Sequence, residues 1–132
     1  MKWMALEAIR DRKSTIYTDV WSYGVVMWEI FTLGNQPYPT KGPDDVSSYF
    51  MIYPLFYLFV FKVERYLGEG KRLDRPIHSS REIYQLMRDC WELEPEKRPS
   101  FRELSEDLNK QLETIDRESY LDMNNDMDND SK

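Results

Sequence analysis

The sequence predicts an all-α fold, with a central helix over about 19–33 and further helices over about 80–91 and 101–115. Three observations carry that expectation. Residues 19–33 are apolar on every side of a helical wheel. Two Ser-x-x-Glu patterns, Ser79 with Glu82 and Ser100 with Glu103, each stand just ahead of apolar residues at helical spacing.

In the first helix Val20, Trp21, Tyr23, Val25, Val26, Met27, Trp28, Ile30, Phe31 and Leu33 leave little polar surface, the pattern of a helix buried on all sides. Thr18 or Asp19 can cap its start. Gly34 can end it in a left-handed conformation, and Gln36-Pro37-Tyr38-Pro39 forbids continuation. In the second, Ile83, Leu86, Met87, Cys90 and Trp91 recur at i, i+3, i+4, i+7 and i+8 behind the Ser79–Glu82 capping box. Glu94-Pro95-Glu96-Lys97-Arg98-Pro99 reads as a loop. The Ser100–Glu103 box then opens a helix carrying Phe101, Leu104, Leu108, Leu112 and Ile115. Residues 116–132 are dominated at their end by Asn and Asp, too little apolar material to offset the entropy of ordering, so they are expected to form a disordered acidic tail.

At 132 residues the chain is of a size for one domain. Of its net charge of -6, residues 114–132 hold -4, from six acids against two bases, which leaves a near-neutral body. Such a body has no clustered Lys and Arg for nucleic acid or an anionic membrane surface, and both are excluded as primary partners. Cys90 is the single cysteine, so no internal disulfide and no Cys/His metal cluster is expected, in keeping with a reducing, cytosolic setting. Charges at Lys2, Glu7, Arg10, Asp11, Arg12 and Lys13 rule out a secretory signal at the start.

Residues 46–61 are sixteen in a row without a charge, crowded with Phe and Tyr around Pro54, and show no helical or strand alternation. A bilayer needs roughly 20 apolar residues. The run is too short for a span and carries Pro54 in its middle.

Three blocks in order, Lys2-Trp3-Met4-Ala5-Leu6-Glu7-Ala8, Asp19-Val20-Trp21-Ser22-Tyr23-Gly24-Val25-Val26-Met27-Trp28-Glu29-Ile30 and Arg98-Pro99-Ser100-Phe101, together resemble the second half of a receptor tyrosine kinase catalytic domain. Glu29-Ile30-Phe31-Thr32-Leu33-Gly34 and Met87-Arg88-Asp89-Cys90-Trp91 favour the fibroblast-growth-factor-receptor, RET or Torso-like kind. The resemblance implies that residues 1–115 form the lower part of a kinase C-lobe. Removing 46–62 joins Asp45 to Val63 and restores the length usual in the family. That stretch begins Val-Ser and ends Phe-Lys, as a short translated intron with GT…AG ends would; a lineage insert and a membrane segment are the other readings.

The resemblance also assigns roles. Lys2, Trp3 and Met4 match the loop that receives the substrate beside its tyrosine. Glu7 matches the glutamate of the Ala-Pro-Glu motif, with Leu6 where Pro is usual, and Arg98 matches its buried ion-pair partner; two surface charges are the plain alternative. Asp19 matches the aspartate that accepts backbone hydrogen bonds from the catalytic loop. Catalytic residues are not expected in this chain: the Gly-rich phosphate cover, the strand lysine, the His-Arg-Asp loop and the Asp-Phe-Gly metal ligand do not occur. ATP and Mg are implied for the intact parent, none for this chain, which alone is expected to be inactive.

The implied partners are a protein tyrosine substrate and phosphotyrosine-binding adaptors. Tyr120 and Met123 have the Tyr-x-x-Met spacing of the docking motif read by the regulatory subunit of phosphoinositide 3-kinase. The implied location is the cytoplasmic side of the plasma membrane for a parent receptor, the chain itself being cytoplasmic. A different class remains open beside this one: a non-catalytic interaction module, derived from a kinase, that displays a phosphotyrosine docking tail.

Overall fold

A computed structural model describes residues 2–38 and 52–129; side chains are described within it except at 52–57 and 123–129. Among the described residues every regular element is helical: α1 Leu6–Asp11, α2 Ile16–Phe31, α3 Ile52–Gly68, α4 Arg81–Cys90 and α5 Phe101–Asn129, with a 3₁₀ turn at Pro95–Lys97. The all-α expectation is borne out. The chain divides into two compact units, Met1–Pro99 and Ser100–Lys132.

The core of the first unit lies where α2 meets α4. Trp21, Val20 and Val25 from α2 and Met87, Cys90 and Trp91 from the end of α4 are fully buried. Gly24 makes this approach possible: a Cβ there would lie 2.7 Å from Cys90 Cβ and 2.8 Å from Trp91 Nε1. Burial in this dry contact also pushes the Cys90 thiol up to about 12, with the neighbouring Asp89 charge adding to the shift.

α2 begins three residues earlier than its hydrophobic run. Thr15 is the N-cap, its N–H donating to Thr18 Oγ1 at 2.9 Å while the Thr18 hydroxyl donates to the Thr15 carbonyl at 2.7 Å. Asp19 therefore sits inside the first turn rather than at the cap. At the other end, Gly34 N–H reaches the Glu29 carbonyl and Leu33 N–H the Ile30 carbonyl, a Schellman closure. Gly34 has a positive φ as expected, but Leu33 precedes it in the left-handed region at φ 59°. The helix is not buried all round either. Val26 and Ile30 are exposed on one stripe with Asp19, opposite the face that meets α4.

Residues 52–61 of the uncharged run form helix, contrary to the absence of periodicity in it, and continue without a break into 62–68. Pro54 is the third of the described residues of α3, and the helix runs on from it to Gly68. The two halves differ in burial: Leu58 and Phe61 are exposed, Val63 and Leu67 buried. No helix among the described residues is long and apolar enough to cross a membrane. Residues 46–51 lie outside the described residues.

The cap of α4 is Ser80, whose hydroxyl accepts from Ile83 N–H at 3.1 Å. Ser79 is occupied elsewhere, buried and donating to the Pro76 carbonyl, so the expected Ser79–Glu82 box does not form. In the second unit the Ser100–Glu103 box is present in both directions, with Ser100 N–H on the Glu103 carboxylate at 2.7 Å. That backbone hydrogen bond, with the one from the Ser100 hydroxyl, holds the Glu103 carboxyl below its ordinary range. α5 continues past 115 to Asn129, through residues expected to be unstructured. Between Phe101 and Asn129 there is neither Gly nor Pro to stop it. The Lys110–Asp107 and Arg102–Glu106 pairs add local support along its surface.

Candidate functional site

The segment before α1 is pinned by three side-chain bonds, two to α2 and one to Gln36 beyond its end. Trp3 Nε1 donates to Glu29 Oε2 at 2.7 Å, the Ser22 hydroxyl donates to the Trp3 carbonyl at 2.7 Å, and Lys2 Nζ donates to Gln36 Oε1 at 3.1 Å. Lys2 also stands 5.6 Å from the centre of the Phe59 ring on α3. Lys2, Trp3 and Met4 thus form a fixed, partly exposed ledge, with Trp3 39% exposed. Leu6, in the place usual for Pro, is the first residue of α1, a position that Pro favours, and its side chain is buried.

Glu7 and Arg98 meet across 91 residues of chain. Arg98 Nη1 reaches Glu7 Oε1 at 2.6 Å and Nη2 reaches Oε2 at 3.0 Å, a two-pronged pair. The Arg98 side chain is wholly buried and the Glu7 side chain 22% exposed. Arg98 Nε donates to the Glu92 carbonyl and Nη1 also to the Tyr17 carbonyl, so the end of α4 and the start of α2 are joined to α1 through one guanidinium. Burial works to raise the Glu7 pKa; the Arg98 hydrogen bonds and charge outweigh it, and the carboxyl is held below its ordinary value.

Trp21 lies between two guanidiniums. Arg98 stands 5.0 Å and Arg72 5.1 Å from its ring. Arg72 in turn donates to the Trp91 and Leu67 carbonyls, which fastens the connection after α3 onto the core. Sequence reasoning missed Arg72, Ser22 and Glu29. Ser22 and Glu29 stand inside the block at 19–30, but the bonds that give these three side chains a role reach residues 19 or more positions away.

Asp19 is exposed beside a hollow of about 260 Å³ lined by Met4, Ala8, Arg12, Ser14 and Ser22 among others. Its carboxylate has no partner among the described residues. Tyr120 stands on α5 and is 66% exposed, inside a helix rather than past its end. The Met123 side chain falls outside the described residues.

The sequence profile of the family described as protein tyrosine and serine/threonine kinase matches residues 1–108. The chain is 44% identical over 123 residues, 93% of its length, to a fibroblast growth factor receptor of Ciona intestinalis, and 45% identical over 121 residues to that of Halocynthia roretzi. It spans 14% of the length of each. The resemblance carried by the three sequence blocks is thereby borne out, and the chain belongs to the protein tyrosine and serine/threonine kinase family.

Proposed function

We propose that this chain supplies the substrate-side part of the C-lobe of a receptor tyrosine kinase, an enzyme that transfers the γ-phosphoryl group of ATP to protein tyrosine. The observation that carries the reading is the two-pronged Glu7–Arg98 pair, which ties the Lys2–Trp3–Met4 ledge to the base of α2 and the end of α4. A ledge that must hold a flexible peptide in register with a phosphate donor needs such an anchor, because small misplacement of reacting groups is expensive in rate. The exposed Val26 and Ile30 on the Asp19 stripe support it further, as a face that the remainder of a kinase domain would cover.

ATP and Mg²⁺ belong to the chemistry of the family, but the residues present do not fit them. Among the described residues no group of three His, Cys, Asp or Glu is placed to hold a metal ion. The phosphate-contacting motifs of a kinase do not occur in the sequence. The role of this chain is to position and support, with Asp19 as the acceptor for backbone N–H groups of a catalytic loop. The parent is a plasma-membrane receptor with this part on its cytoplasmic side.

The test transplants residues 1–115, without 46–62, into the matching place of the Ciona receptor kinase domain. The chimera phosphorylates a tyrosine-containing peptide, whereas the 132-residue chain alone neither turns over ATP nor binds it in calorimetry. A folded but inactive chimera, or ATP turnover by the isolated chain, overturns the proposal.

We propose further that Tyr120, exposed on α5, is phosphorylated in the parent and captured by phosphotyrosine-binding adaptors, with Met123 filling an apolar pocket. A peptide over 117–125, with and without phosphate on Tyr120, tests it in a pull-down. Equal capture of both forms, or no loss with Met123→Ala, removes it.

A further inference from the structure

Helix α5 carries an apolar row that its own unit leaves uncovered. Leu108, Leu112 and Ile115 recur at i, i+4 and i+7 and so share one face of the helix. Leu108 is half-buried, while Leu112 and Ile115 are each 58% exposed. The same face runs on through Ser119 to Asp122. Asp116 borders the row on one side and Glu118 on the other, and Asp122 stands at its end. All three carboxylates are exposed and have no hydrogen-bond or ion-pair partner among the described residues. The bases of this stretch lie elsewhere: Lys110 and Arg117, seven positions apart, are on the opposite face, and Lys110 is already bonded to Asp107 at 2.7 Å. The face is apolar along its middle and negative at its borders.

These acids work against the helix that bears them. Glu118 and Asp122 are like charges at i, i+4 spacing, which disfavours helix. Asp122, Asp126 and Asp128 gather toward the C-terminal end, where the macrodipole is already negative, and the last turn holds no base to offset them. Cations set along the borders of the row relieve both costs. Covering Leu112 and Ile115 takes their apolar surface out of water. A partner that does both carries apolar residues in a row with bases beside them, which is the pattern of a basic amphipathic helix. A second copy of this face would set acids against acids, and an anionic membrane or nucleic acid is repelled in the same way.

We propose that the Leu108–Leu112–Ile115 face of α5, bordered by Asp116, Glu118 and Asp122, is a docking surface for a basic amphipathic helix of a partner protein. The apolar row supplies most of the affinity, and the carboxylates select the sign of the partner and speed its approach. Tyr120, five positions after Ile115, lies outside the row, so the surface is distinct from the phosphotyrosine motif.

Three fluorescein-labelled synthetic peptides test this on the 132-residue chain. One is built of Leu and Lys with Leu at helical spacing, the second has the same composition with its Leu scattered round the helix, and the third has Glu in place of Lys. In anisotropy titrations the first saturates and binds at least about tenfold more tightly than the second, and the third does not bind. Leu112→Ser combined with Ile115→Ser, both at exposed positions, weakens the first peptide about tenfold or more. Asp116→Asn, Glu118→Gln and Asp122→Asn together weaken it and flatten its dependence on salt. Equal binding of the first two peptides, equal binding of the Lys and Glu peptides, or unchanged affinity in either set of variants overturns the proposal. So does a dimer in sedimentation that Leu112→Ser with Ile115→Ser abolishes, since the occupant is then a second copy. The peptide comparison is made on the unaltered chain and stands whether or not the variants fold.

Discussion

Every nitrogen of the Arg98 guanidinium group is engaged, by Glu7, Glu92 and Tyr17, on a side chain with no exposed surface. Removing one partner of such a pair leaves the other charge buried, which costs about 3–5 kcal/mol, whereas breaking an exposed pair costs about 1 kcal/mol or less. Arg98→Ala is therefore expected to lower the urea midpoint sharply; an unchanged midpoint would count against burial of the pair. The same pair sets an acid limit. Because the folded-state pKa of Glu7 lies below its unfolded value of about 4.3, the contribution of Glu7 is fully present above that value and is lost as pH falls through the folded pKa. Between pH 6 and pH 3 the unaltered chain should lose more stability than Glu7→Gln does, and parallel losses in the two would sink the assignment. Glu7 and Arg98 were legible in the sequence because the motifs flanking them are distinctive. Arg72 was not legible: it follows a lysine in a polar stretch, and only the folded contacts with Trp21 and with the Trp91 and Leu67 carbonyls give it a role.

At the scale of elements, an all-round apolar run between a cap and a glycine located α2 and hydrophobic periodicity located α4 and α5, while the starts of α2 and α4 depended on competition among hydroxyl groups. Thr15 rather than Asp19 caps α2 because Thr18 bonds back to it. Ser80 rather than Ser79 caps α4 because Ser79 is bound to Pro76. The helical state of residues 52–61 was not legible, since the uncharged run shows no period and, unlike 19–33, carries Pro54 in its middle. Packing between α2 and α4 rests on Gly24. Gly24→Ala forces a methyl group against Cys90 and Trp91, and should cost about 1–3 kcal/mol in thermal or urea unfolding. A neutral effect would show that the two helices can move apart. Deleting residues 46–62 removes the exposed Leu58 and Phe61 and brings Asp45 next to Val63, where its carboxylate can cap the shortened α3. The deletion variant should stay soluble at higher concentration and melt no lower. More aggregation, or a lower melting temperature, would mean that the apolar half of α3 belongs to the fold.

At the scale of the whole molecule, apolar side chains stand exposed on the central helix. The helix that the sequence marks as apolar all round is covered on the α4 side and bare along Val26 and Ile30, the face that the proposed C-lobe role would cover. The sequence conveyed this through a family resemblance, and the fold shows the physical counterpart as exposed apolar surface. The four tryptophans divide along a different line. The indole N–H groups of Trp3 and Trp28 each donate, to the Glu29 carboxylate and the Asp74 carbonyl, while those of Trp21 and Trp91 are buried without a partner among the described residues. A hydrogen-bonded N–H proton resonates downfield of one that is not, so the proton NMR spectrum of the folded chain should show its four indole signals in two pairs. The upfield pair, from Trp21 and Trp91, is shielded from solvent and should exchange slowly with deuterium. Their collapse into the range of free indole then marks the moment at which α2 and α4 separate.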